Sequence, residues 1–137
     1  MLLLGIDFGD SRTGLAVSNA LGIATPLYTL FEKNQSKLID NIVAIIKEKK
    51  IEKIVLGLPI DSNSQIGERA NKTKLFGGKL RQKCVVPLEY YDERFSSKIA
   101  QSSLNFMDAK NKKQVKDSIA AAVILQGYID KIKNMEG

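Results

Sequence analysis

The chain opens on an apolar run, Leu2-Leu3-Leu4-Gly5-Ile6, that delivers a carboxylate, Asp7, just ahead of Phe8-Gly9. A short apolar run closed by glycine reads as a buried strand. A carboxylate in such a strand is costly unless it finds a partner or a metal. On strand alternation Leu2, Leu4, Ile6 and Phe8 share one face, and Leu3, Gly5 and Asp7 the other. Gly5, having no side chain, leaves room beside Asp7. Asp7 then has two readings: a metal ligand at the end of a strand, or a residue that opens the turn through Gly9, Asp10 and Ser11.

Composition limits the chemistry available. The 137 residues include no histidine, which removes the commonest general base, every Ser-His arrangement and all His-based metal sites. Any catalysis rests on carboxylates. The single cysteine, Cys84, has no internal disulfide partner and reads as a small buried hydrophobe. A formal charge of +6 favours a polyanionic partner. The apolar runs are too short to span a bilayer, and no basic segment precedes the first of them, so no membrane and a cytoplasmic location are expected. The length suits one domain with a substantial core, expected over 1–137.

Residues 13–18 alternate as a second strand, forming a hairpin with the first. Residues 23–30 give a third, which Pro26 confines to an edge. Leu38, Ile39, Ile42, Val43 and Ile46 recur at helical spacing after Ser36, the expected N-cap, and Lys47, Lys49 and Lys50 suit the helix end. Residues 54–58 are continuously apolar and stop at Pro59, the pattern of a strand buried on both faces that pairs in parallel with the first. A second helix is expected over 64–83, weakened or broken at Gly77-Gly78. A fifth strand over 85–91 delivers Asp92-Glu93-Arg94, and a short helix capped by Ser96 or Ser97 follows to Met107. A lysine-rich loop over 108–116 and a largely buried last helix over 114–132 complete the chain. The order implies one α/β domain with a mixed sheet.

Three carboxylate stations emerge: Asp7, the Asp92-Glu93 pair, and Asp117. Asp117 lies on one helical stripe with Ala120, Ala121, Ile124 and Tyr128, although a first-turn Asp favoured by the helix dipole would look the same. Ligands of open α/β sheets gather at the carboxyl ends of the strands, where the first two stations fall. Carboxylates without His or Cys suit Mg²⁺ or Mn²⁺. Two such ions about 3.5–4 Å apart would clamp a phosphodiester, and the inferred chemistry is its hydrolysis. Lys110, Lys112, Lys113 and Lys116 crowd the approach to Asp117, and Arg69, Lys72, Lys74, Lys79, Arg81 and Lys83 follow the second helix. Both sets can grip phosphates or simply form solvated faces.

Taken together, these residues resemble the YqgF/RuvX family, described as Holliday-junction-resolvase-like and as pre-16S ribosomal RNA nucleases. The resemblance rests on Asp7-Phe8-Gly9 with Arg12, Gly14, Ala16 and Ser18, on Thr25-Pro26-Leu27 and Gly57-Leu58-Pro59, on Asp92-Glu93-Arg94-Phe95-Ser96-Ser97, and on Asp117-Ser118-Ile119-Ala120-Ala121 leading to Ile124-Leu125-Gln126. It implies a ribonuclease H-like fold with strand order 3-2-1-4-5. It also implies a metal-dependent nuclease with acids at Asp7, at Asp92 or Glu93, and at Asp117. The longer reach of Glu93 favours it over Asp92. Arg12 reads equally as a phosphate contact or as the partner of a carboxylate. Two departures stand out: residues 60–64 lack the Asp-Gly pair often found there, and Asp10 adds an acid where the family tends to have an uncharged residue, one that either joins the metal site or, the favoured reading, solvates the turn. The expected partner is nucleic acid, a ribosomal RNA precursor ahead of branched DNA. The alternatives are a Holliday junction resolvase and a non-catalytic nucleic-acid-binding module.

Overall fold

In a computed structural model, which describes residues 2–60, 67–93 and 109–136, the opening run forms the centre of a five-stranded sheet. Side chains of the last helix are described from Lys116 to Asn134. The strands are β1 (Leu3–Asp7), β2 (Thr13–Ser18), β3 (Ala24–Leu30), β4 (Lys53–Leu58) and β5 (Leu88–Asp92), in the order β3-β2-β1-β4-β5. The β1–β2 and β2–β3 pairs are antiparallel, and β1–β4 and β4–β5 are parallel. This is the order that the resemblance implies. As Pro26 requires, β3 lies at an edge, and the β2–β3 register slips between Leu15 and Ala16. In β4, Ile54, Val55 and Leu56 are wholly buried, as a strand covered on both faces should be.

Two layers of helix cover the sheet. On one face α1 (Gln35–Glu48) and α2 (Glu68–Lys83) pack Leu38, Ile42, Phe76 and Leu80 against Leu4 and Ile6. On the other, α3 (Ala109–Glu136) packs Ala121, Leu125 and Tyr128 against Leu3, Ala16 and Val55. The alternation of β1 thus separates the two cores, and Asp7 falls on the α3 face. Gly5 does leave room on that face, but α3 takes it: a Cβ there would lie 2.8 Å from Leu125 Cβ and 2.9 Å from the Ala121 carbonyl oxygen.

Several boundaries differ from the sequence reading. Asn34, not Ser36, caps α1, its Oδ1 accepting from the Lys37 amide at 3.0 Å. Ser36 falls inside the first turn, where it has no orphan amide three residues on to satisfy. Gly77 and Gly78 do not interrupt α2. Gly77 lets the helix settle on the sheet, since a Cβ there would lie 2.5 Å from Tyr90 Oη. Described from Gly67 on, α2 starts at Glu68. Residues 85–87 do not join β5: Val85 is fully exposed, Pro87 has no amide to donate, and the strand runs on to Asp92 instead. The lysine-rich stretch is helix rather than loop from Ala109 onward, and α3 continues to Glu136. Lys, Asn, Gln and Val form an unbroken run there with no Gly or Pro, so polarity was the wrong guide. The short helix expected to end at Met107 lies outside the described residues. Cys84 is half-buried, its Sγ 3.3 Å from the Leu80 carbonyl oxygen.

Candidate active site

Parallel pairing brings the carboxyl ends of β1, β4 and β5 to one edge of the sheet. Asp7 closes β1 opposite Gly14 of β2, and Leu58 of β4 is level with Asp92 of β5. Because β4 lies between β1 and β5, a side chain from the end of β5 must cross β4 to meet Asp7. Gly57 provides the crossing. A Cβ at Gly57 would stand 2.6 Å from Glu93 Oε1, in the space that this longer carboxylate uses. On the other side of Asp7, Gly14 has no side chain to hold off α3, and a Cβ there would collide with the Asp117 carbonyl. Two glycines flanking one acid therefore admit the other two. Neither glycine's role appears in the local sequence pattern; the nearest signal is that each sits in a strand beside a carboxylate-bearing one.

The electrostatics follow from this crowding. Half-buried Asp7 is pushed from 3.8 up to about 8. Burial, which penalises the charged form, is the largest cause; the charge of Glu93, a hydrogen bond with Glu93 and the charge of Asp117 follow. Arg69, at the start of α2, opposes them by favouring the ionised form. Two carboxyls in hydrogen-bond contact must hold a proton between them. The nearness of Arg69 to Asp7 was not evident in the sequence, where it reads as one of six basic residues in the second helix region.

The remaining candidates are distributed as follows. Arg12 Nε lies 3.4 Å from Asp117 Oδ2. Asp117 sits eight residues beyond Ala109, more than two turns into α3, so it is not a first-turn acid serving the helix dipole. Half-buried Asp92 is not among the groups that shift Asp7; it raises the Tyr91 hydroxyl, after burial. Asp10 is exposed in the β1–β2 turn, with Lys72 Nζ 3.9 Å away. Lys116 is exposed next to Asp117. Lys110, Lys112 and Lys113 lie on the first turns of α3, their side chains outside the described set, as is Arg94. Among the described residues no group of three His, Cys, Asp or Glu side chains forms a ready metal cage. No helix among them is long and apolar enough to cross a membrane.

Comparisons with other proteins agree with this architecture. A relative from Sulfurihydrogenibium sp., named "Putative pre-16S rRNA nuclease", is 41% identical over 95% of this chain and 90% of its own length. One from Agathobacter rectalis with the same name is 40% identical over 98% of each chain. Among solved structures, Thermus thermophilus RuvC in complex with a Holliday junction substrate superposes with a TM-score of 0.63 at 16% identity, covering 97% of this chain and 96% of that one. A fowlpox virus resolvase with its substrate Holliday junction DNA gives 0.57 at 10% identity, over 96% and 99%. These two likenesses speak for the fold alone, a ribonuclease H-like one. Residues 1–131 match the family described as RuvX: Holliday junction resolvase, and the chain belongs to that family.

Proposed function

We propose that the chain is a nuclease that hydrolyses phosphodiester bonds with the help of Mg²⁺ or Mn²⁺, and that its substrate is the precursor of 16S ribosomal RNA. One observation carries this reading: Asp7, closing β1, and Glu93, just past the end of β5, are in contact, and Asp117 is close enough to add its charge. A fold holds like charges together only at a cost, and a cation reverses the sign of that interaction. The donor set fits the metal: every candidate ligand atom is a carboxylate oxygen, in a chain without histidine. When bound, the cation supplies Lewis acidity that makes water nucleophilic at neutral pH and neutralises charge on the phosphate.

In this reading Asp7, Glu93 and Asp117 would hold the cation, with the proton between Asp7 and Glu93 released to solvent and Asp117 freed from its pair with Arg12. Asp92 is the alternative acid from the same strand end. Arg12 then turns to the substrate, where Lys110, Lys112, Lys113 and Lys116 on α3 hold flanking phosphates. The ribosomal substrate is supported by the names of the relatives at 41% and 40% identity. Resolution of branched DNA is the second reading, supported by the family's description. The chain works as one ribonuclease H-like domain over 1–137, in the cytoplasm.

The test is cleavage of a pre-16S RNA fragment and of a four-way DNA junction with Mg²⁺ or Mn²⁺, by wild type beside Asp7→Asn, Glu93→Gln and Asp117→Asn. Each substitution is expected to lower the rate at least about 100-fold, the upper end of what outer-shell changes cost. Equal rates for wild type and Asp7→Asn would overturn the reading. The preferred substrate decides between RNA processing and junction resolution.

A further inference from the structure

Four of the six basic residues of α2 fall into two pairs. Lys79 Nζ donates to Gln35 Oε1 at 2.9 Å and Arg81 to the Leu88 carbonyl at 2.7 Å, so these two tie the helix to α1 and β5. Arg69 and Lys72, three residues apart on one helix face, instead border a cleft of about 110 Å³ between α2 and the β1–β2 turn. Phe8, the residue after Asp7, lines that cleft. It is fixed by parallel stacking on Phe76, with ring centroids 4.2 Å apart and planes 9° from parallel. Arg69 also borders a second hollow beside Pro59 and Ile60, so it stands between the ends of β1 and β4. Among the described residues its guanidinium makes no hydrogen bond or ion pair. Lys72 has two long contacts, 3.9 Å to Asp10 and 3.9 Å to Glu68, both with largely exposed carboxylates. Such pairs contribute little and exchange readily for a stronger anion.

We propose that Arg69 and Lys72 form a subsite for a backbone phosphate of the bound nucleic-acid strand, one that flanks the bond cut at Asp7 and Glu93. The inference rests on the nuclease reading above. The planar fork of Arg69 matches two phosphate oxygens, and Lys72 adds a compact charge beside it. At about 110 Å³ the cleft is of a size to take a phosphate group, and a backbone contact of this kind positions the strand without reading its sequence. Asp10 borders the same cleft and repels a phosphate, and its pair with Lys72 covers the subsite while no strand is bound.

The opposed charges give variants of opposite sign. Fluorescence anisotropy in EDTA, with a labelled four-way DNA junction and a labelled RNA hairpin across a salt series, reads binding without cleavage. The double variant Arg69→Ala/Lys72→Ala is expected to bind roughly tenfold more weakly than wild type and to lower the salt slope by about 1. Asp10→Asn is expected to tighten binding by about twofold, the scale of an exposed ion pair. Lys79→Ala/Lys83→Ala, farther along the same helix, is expected to keep the wild-type slope. An unchanged affinity and slope in Arg69→Ala/Lys72→Ala, or an equal loss in Lys79→Ala/Lys83→Ala, would overturn the subsite and leave the nuclease reading standing. A wild type that binds neither nucleic acid would overturn both.

Discussion

Arg12 and Asp117 join the β1–β2 turn to α3 at the mouth of the acid cluster, with 3.4 Å between Nε and Oδ2. The Arg12 side chain is 45% exposed and that of Asp117 18%, so solvent weakens the pair and it contributes no more than about 1 kcal/mol. Its larger effect is on the acids. Arg12 neutralises a carboxylate that a divalent cation would otherwise attract. Arg12→Ala is therefore expected to shift urea unfolding by less than about 1 kcal/mol while tightening Mn²⁺ binding, read by isothermal calorimetry without nucleic acid. Weaker Mn²⁺ binding would show that Arg12 supports the acids rather than competing for one of them.

Gly14 and Gly57 are expected to respond differently to a methyl group. At Gly14 a Cβ overlaps the Asp117 carbonyl, backbone that moves only if α3 moves. Gly14→Ala should cost near the top of the roughly 1–3 kcal/mol typical of overpacking. At Gly57 the same atom meets the ends of two side chains, Glu93 Oε1 and Ile124 Cδ1, each at 2.6 Å. Gly57→Ala should cost about 1 kcal/mol yet displace Glu93 from Asp7 and depress cleavage beyond what the stability loss explains. Urea unfolding alongside cleavage rates separates the two; a larger stability loss at Gly57 would contradict this packing.

Much of the sheet was legible in the sequence because its signals are local. The run at 54–58 is apolar throughout since β4 is covered on both sides, and Pro26 marks the edge because it lacks a donor. The three acids were individually visible for the same reason: a carboxylate in an apolar strand or stripe is an anomaly in its own neighbourhood. What could not be read was which side chains meet across the paired strands. Gly57 matters only because β4 runs between Asp7 and Glu93, and Gly14 only because it is level with Asp7 beneath α3. Arg69 looked like one lysine-rich face among others until α2 was packed against the end of β1. The start of α3 was missed because its lysines lie at a helix N-terminus, where the dipole disfavours them.

Phe76 links the core beneath the sheet to the site above it. The ring is wholly buried and stacks on Phe8, the residue that follows Asp7. Phe76→Ala should cost about 3–5 kcal/mol through lost burial and the cavity left behind. Phe76→Leu keeps much of the volume and loses the stacking, worth roughly 0.5–1.5 kcal/mol beyond burial. Thermal melts should rank wild type above Phe76→Leu above Phe76→Ala. If Phe76→Leu cleaves at the wild-type rate despite a lower Tm, the ring stabilises the fold without orienting Asp7.

Asp7 makes stability depend on pH in a direction opposite to that of a salt-bridged carboxylate. Burial, then Glu93 and Asp117, raise its carboxyl from 3.8 to about 8, so the folded chain holds a proton that the unfolded chain releases. The stability from this group is fully present below the unfolded-state value and is lost as pH rises towards about 8. In EDTA the wild-type Tm should fall across that window, and Asp7→Asn, which cannot ionise, should flatten the fall. A divalent cation binds the ionised form and competes with the proton, so Mn²⁺ should raise Tm more at pH 8 than at pH 5. The gain at pH 8 should reach at least about 3 °C, the shift produced by roughly 1 kcal/mol in a chain of this size. Differential scanning calorimetry with and without Mn²⁺ checks both parts. An Asp7→Asn variant that keeps the wild-type pH slope and the wild-type Mn²⁺ gain would assign both effects to other groups.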